Sequence, residues 1–247
     1  MLDRASEAAL GRVVDQLRKL FEVDLVCIAL YGSGADEDFA VGLSDLNLAI
    51  VLERVTAEHL RRLHVHLPKW HKLGVATPLV LDRPWLECAR DVFPMELLDI
   101  RAQHRILYGE QVFAALAIDS RHLRYQAEYE ARGKLLRLRA LYAEVGKSRK
   151  RLEALMRDSV ATFVAIMRCV LRLRGAAVPR GAAAVVAQVE EQCGVAFPSI
   201  RRLIDAKRGA QPLERSLEEL FERYLDEVER LVDVVDQIEP GATAIPG

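Results

Sequence analysis

The residues best suited to chemistry lie in one stretch: Tyr31-Gly32-Ser33 and then, after eleven intervening residues, Asp45-Leu46-Asn47-Leu48. Glycine after an apolar run permits a tight turn and lets backbone N–H groups approach a phosphate closely, and the Ser33 hydroxyl adds a donor. Ser44 then leads into Asp45 and a second apolar run, Leu46 to Leu52. Side chains on a strand alternate, so Asp45 and Asn47 share one face while Leu46 and Leu48 turn into the core. Two oxygen ligands beside a phosphate-cradling turn are the requirements of a Mg²⁺–nucleotide site. Asn47 departs from that requirement in one respect. Its amide oxygen can ligate one ion, but it is neutral and cannot bridge two ions as a carboxylate does.

These groups have to be held by a sheet, and the first ~120 residues supply one by alternating strand and helix signals. A helical stripe over residues 5–21 precedes a strand at Val23–Tyr31; the strand at Leu46–Leu52 follows, then a helix capped by Thr56 and running to about Lys72. Thr77–Leu81 reads as a third strand, and Asp82-Arg83-Pro84 opens a helix with Asp82 as cap. Met95–Ile100 and Arg105–Tyr108 read as a fourth strand and its extension. From His122 onward the period is 3.6, with long helices at Leu123–Val145 and Lys147–Arg174, shorter ones at 181–194 and 199–208, and a last one at Leu213–Ile238. The expected fold is therefore α+β: a mixed β-sheet with helices over residues 1–120, an all-α helical bundle over 121–238, and a flexible tail over 239–247.

Bulk numbers narrow the function. In 247 residues, Lys plus Arg number 35 and Asp plus Glu 36, so net charge points neither to nucleic acid nor to an anionic membrane. A 51% apolar composition argues against disorder. Cys27, Cys88, Cys169 and Cys193 show no C-x-x-C spacing and read as reduced thiols. The N-terminus has no signal-peptide pattern and the uncharged apolar run near Val160–Met167 is too short for a membrane span, so a cytoplasmic protein is expected.

The opening stretch resembles the nucleotidyltransferase superfamily that includes kanamycin and streptomycin adenylyltransferases and MNT-type proteins. Its pattern is a hydrophobic residue, Gly, Gly or Ser, nine to thirteen residues, then acid-hydrophobic-acid-hydrophobic; residues 31–33 and 45–48 match everything except the second acid. The likeness covers roughly residues 20–110, and the SDLN strand with FPMELLDIRAQHRILYGE resembles a bacterial group carrying Asp-x-Asn. The resemblance implies that Gly32, Ser33 and Ser44 bind triphosphate and that Asp45 and Asn47 hold Mg²⁺ or Mn²⁺. A third acid would bind metal or activate an acceptor hydroxyl, and pyrophosphate would leave from an NTP, ATP being the expected one. The nucleotide would lie in a cleft between sheet domain and bundle.

The strand Thr77–Leu81, where the superfamily places its third acid, contains none. Asp82 is better read as a cap, whereas Glu96 sits in an apolar strand context where a carboxylate needs a partner or a metal, which makes it the leading third acid. Ala35-Asp36-Glu37-Asp38 puts three carboxylates where relatives carry a base, and its plain alternative is a solvated loop facing away.

Residues 132–151 carry eight basic side chains against one acid, Glu144. They form either a stripe that neutralises triphosphate, with Lys134 and Arg137 binding nucleotide, or an ordinary exposed helix face. His64 and His66, two apart on a helix, point in different directions. No histidine follows His122, which excludes the Arg–His catalytic pair of HEPN-type RNases from the bundle. Trp70 and Trp85 read as core.

Two functions stand side by side: transfer of a nucleoside monophosphate to a hydroxyl of a small molecule or protein, and a catalytically degenerate protein of the same fold that binds nucleotide or a partner. A helical interaction module is a third. The expected partners are the nucleotide and a small-molecule or protein acceptor, with a second copy of the chain as a further candidate.

Overall fold

The computed structural model describes residues 2–32, 46–207, 213, 216–239 and the backbone of 244–245. The chain forms two compact units, with the boundary between Ile118 and Asp119.

In the first unit, helix α1 (Arg4–Phe21) is capped by Asp3, whose side chain accepts from the Ser6 N–H. Val13, Leu17 and Phe21 line its buried stripe. Strand β1 (Leu25–Tyr31) pairs antiparallel with β2 (Asn47–Leu52) on one side and with β4 (His104–Gly109) on the other. Strand β3 (Leu79–Asp82) runs parallel to β2, so the sheet order is β3-β2-β1-β4. Alternation decides the two faces. Ile28, Leu30, Leu48, Ile50 and Leu52 join the α1 stripe and Trp70 in one core cluster, while Ala29, Ala49 and Val51 face the other way and are equally inaccessible. A sheet covered on both faces explains why β1 and β2 are apolar without interruption.

The helices between β2 and β4 agree with the periodicity reading in one place and depart from it in two. The helix expected from Thr56 to about Lys72 is two pieces, α2 (Ala57–His64) and α3 (Leu67–His71). Pro68 lies in the first turn of α3, where its missing N–H is harmless, and its ring cannot continue the preceding helix. Asp82 caps α4 (Arg83–Cys88) as expected, accepting from Trp85 N at 2.9 Å and from Val55 N at 3.0 Å. The strand expected at Met95–Ile100 is instead a helix, α5 (Pro94–Ala102). Apolar residues at 94, 95, 97, 98 and 100 suit either element over so short a run; Pro94 at the first helical position is the start signal that settles it.

The boundary falls within the short strand β5 (Ile118–Asp119), which pairs with β6 (Ala244–Ile245), and the second unit runs from Asp119. Its body is the helices α6 (Ser120–Val145), α7 (Arg149–Leu173), α8 (Ala182–Cys193), α9 (Pro198–Lys207) and α10 (Leu217–Asp236). The carboxylate of Glu227 on α10 accepts from Ser199 N and Ile200 N, at 2.7 and 2.9 Å, and so satisfies the N-terminus of α9. Burial pushes that carboxyl upward, and its hydrogen bonds from Ser199 and Ile200 oppose the push. Among the described residues no helix is long and apolar enough to cross a membrane. Fold class α+β, with a mixed sheet followed by helices, agrees with the expectation from sequence.

Two measurements test this description. Gly109 ends β4 at φ 81°, and a Cβ there would lie 2.0 Å from the Val26 carbonyl oxygen. Backbone cannot yield as a flexible side chain would, so Gly109→Ala should cost about 2 kcal/mol or more in urea unfolding followed by circular dichroism. Asp82→Ala should cost about 1–2 kcal/mol at neutral pH through loss of the cap. The Val55 amide is the main cause holding the Asp82 carboxyl below its ordinary 3.8. A depressed carboxyl stabilises above its unfolded value and loses that contribution as pH falls through the folded one, so the wild-type advantage should vanish below that range.

Candidate functional site

Of the candidate site, the structure describes Gly32 and Asn47, at the end of the sheet where β1 finishes and β2 begins. Gly32 takes φ 70°, a left-handed conformation natural to glycine, directly after β1. A Cβ placed on it would lie 3.5 Å from Nδ2 of Asn47, so the Asn47 amide is the side chain that faces the turn. Tyr31 and Asn47 are register partners across β1 and β2. Both are half-buried, whereas their strand neighbours Leu30 and Leu48 are fully buried on the α1 side. Burial pushes the Tyr31 hydroxyl above its ordinary value, which keeps it a neutral donor.

Ser33, Ser44 and Asp45 lie outside the described residues, as does the acidic loop Ala35–Asp38. Among the described residues no three His, Cys, Asp or Glu side chains converge as a metal-binding group. The donor types themselves decide what could be held there: Asp45 with the amide oxygen of Asn47 suits one Mg²⁺, and a neutral amide does not suit a bridged pair of ions.

The candidate third acids are placed as follows. Asp82 ends β3, opposite Leu52 at the far end of β2 from Asn47. Five residues of strand separate those ends, about 16 Å, so the cap reading stands and a role beside Asn47 does not. Glu96 is in the first turn of α5 and exposed, not on a strand, so the apolar strand context that recommended it is absent. Lys134 and Arg137 are both exposed on α6 in the second unit, and Lys134 lies 3.4 Å from Glu130. Other members of the basic segment are likewise neutralised: Arg132 pairs with Glu128 and Asp236, and Arg139 with Glu229. Trp70 is fully buried and donates to Gln16 Oε1 at 2.7 Å, whereas Trp85 is half-buried against Phe93.

One residue that the sequence does not single out shares the row. His104 opens β4 and is the register partner of Tyr31 on the side opposite Asn47. Its Nδ1 lies 3.1 Å from the Arg101 carbonyl oxygen and its Nε2 2.7 Å from Gln111 Oε1, with the Phe113 ring set edge-on. No local signal marks it, because only strand pairing brings position 104 beside position 31.

No family model matches the sequence, and no curated protein matches it. Among solved structures, spectinomycin adenyltransferase AAD(9) from Enterococcus faecialis, crystallised with ATP and spectinomycin, superposes with a TM-score of 0.60. The identity is 13%, and the alignment covers 94% of this chain and 99% of that one. A nucleotidyltransferase-like protein from Exiguobacterium sibiricum 255-15 aligns at 12% identity and a TM-score of 0.37, over 92% of this chain and 74% of that one. At this identity the likeness is one of fold: this chain has the fold of that adenyltransferase along nearly the whole length of both chains.

Proposed function

We propose that this chain binds a nucleoside triphosphate, ATP first, at the Gly32–Asn47 edge and transfers its nucleoside monophosphate to a hydroxyl of a small molecule or protein, releasing pyrophosphate. The observation that supports it is the approach of the Asn47 amide, through Nδ2, to the positive-φ turn at Gly32, since a phosphate gripped by that turn would lie beside an amide donor on the next strand whose oxygen is the group left for a cation. In this reading the Gly32 backbone and the Ser33 and Ser44 hydroxyls hold phosphate oxygens. Asp45 and Asn47 hold a single Mg²⁺, which when bound neutralises phosphate charge. The fold likeness to a protein crystallised with ATP favours ATP over other nucleotides as the first to try.

A second reading, nucleotide binding without turnover, is favoured by the acids. Asn47 replaces one carboxylate, Asp82 is committed to two backbone amides, and Glu96 is on an exposed helical turn. Loss of one formal charge weakens the hold on Mg²⁺, and among the described residues neither Asp82 nor Glu96 is placed beside Asn47 as a carboxylate base.

Labelled ATP, Mg²⁺ or Mn²⁺ and a panel of hydroxyl acceptors separate the two. ATP should raise the melting temperature in both readings. Pyrophosphate release that disappears in Asp45→Ala supports transfer. Release that appears only in Asn47→Asp marks a lapsed enzyme, and no thermal response to ATP in the wild type rejects nucleotide binding altogether.

A further inference from the structure

Resting on the transfer reading above, we infer that His104 is the base that accepts the acceptor hydroxyl's proton, in the role the missing third carboxylate would have taken. The strand register carries the argument. Asn47, Tyr31 and His104 lie opposite one another on three adjacent strands, β2, β1 and β4, without a register shift over residues 29–31. Side chains of directly paired residues share a face, so all three project from the side of the sheet away from α1. The neighbouring position obeys the same alternation: Arg105, one residue on, pairs instead with Glu7 of α1 at 2.9 Å.

Strands are spaced about 4.8 Å apart, which puts His104 and Asn47 roughly 10 Å apart with Tyr31 between them. A phosphate held at the Gly32 turn by the Asn47 side would thus be flanked on its other side by the imidazole. All three residues are half-buried, whereas Ala29 and Ala49, the next residues inward on the same face of β1 and β2, are fully buried. The row is therefore less buried than the residues behind it on the same face.

The hydrogen bonds of the ring suit a base. Nδ1 faces the Arg101 carbonyl oxygen, which can only accept, so Nδ1 donates there and Nε2 is the nitrogen left for the acceptor's proton in the neutral ring. Gln111 meets Nε2 through its Oε1 from the exposed side, so an acceptor hydroxyl has to displace that oxygen, or the amide has to turn over, before Nε2 can take a proton. The Arg101 guanidinium donates to the Leu116 carbonyl oxygen at 2.6 Å, and the Phe113 ring meets the imidazole edge-on. In the step itself, the acceptor O–H bond breaks with its proton passing to Nε2 and the oxygen bonds to the α-phosphorus. The bond from that phosphorus to its bridging oxygen breaks, and pyrophosphate leaves. The imidazolium then returns its proton to solvent.

The test is His104→Gln, made in the wild type and in Asn47→Asp, with circular dichroism to confirm folding. ATP binding by calorimetry should be essentially unchanged, while pyrophosphate release should fall about 100-fold or more and lose the pH dependence of an imidazole base. Added imidazole should restore turnover to His104→Ala. Release by His104→Gln at the parent's rate and pH profile overturns the role of His104 and leaves the transfer reading intact. ATP binding with no release from either parent, whatever the acceptor, overturns the role while nucleotide binding stands. Failure of the wild type to bind ATP at all overturns the nucleotide site, and this role with it.

Discussion

Pairing of β1 with strands on both sides is the constraint from which the candidate site follows. Its hydrogen bonds to β2 and β4 place Tyr31 between Asn47 and His104, and the same ladder puts Leu30 and Leu48 under α1. A slip of one residue would exchange every inward and outward side chain. The buried face resists that slip, because it would displace Leu48 and Ile50 from the α1 core and drive Asn47 into it. Core packing therefore sets the register, and the register brings the polar row to one end of the sheet. Gly109 protects the same arrangement at the other end, where β4 comes too close to the Val26 carbonyl for any side chain.

Charge in the second unit is organised by a different rule. The segment 132–151 looks like an anion-binding stripe when read alone, but acids outside the segment answer several of its bases. Glu128 on the preceding turn of α6 takes both Arg124 and Arg132, and Asp236 at the end of α10 takes Arg132 again. Those two arginines hold the Glu128 carboxyl down to about 2, with the Arg124 hydrogen bond the larger cause. Exposed pairs of this kind add little stability each, but they tie α6 to α10 and remove much of the field that an unanswered stripe would project.

Much of this is legible locally. Thr56 and Asp82 have the residue type and position of caps, and each accepts the backbone N–H that a cap should. The long bundle helices are plain from their apolar period. The segment Met95–Ile100, expected as a strand and found as a helix, shows the limit: a short apolar run fits both periods, and the decisive mark is Pro94 at its head. The difference matters chemically, since a strand would give Glu96 a setting that the helix does not provide. His104 shows a different limit, because nothing within several residues of it distinguishes it from the other histidines.

By itself, then, the order of residues determined most of the elements, their caps and the turn at Gly32, since each depends on hydrogen bonds and side-chain spacing within a few positions of the chain. It also made visible the neutral amide at position 47, which is a matter of residue type alone. Which strands became neighbours, and hence that residues 31, 47 and 104 form one row while Asp82 is committed at the far end of the sheet, was decided only by tertiary structure. Long-range pairing selects its register through the burial of a whole face at once, and no local window of sequence contains that sum.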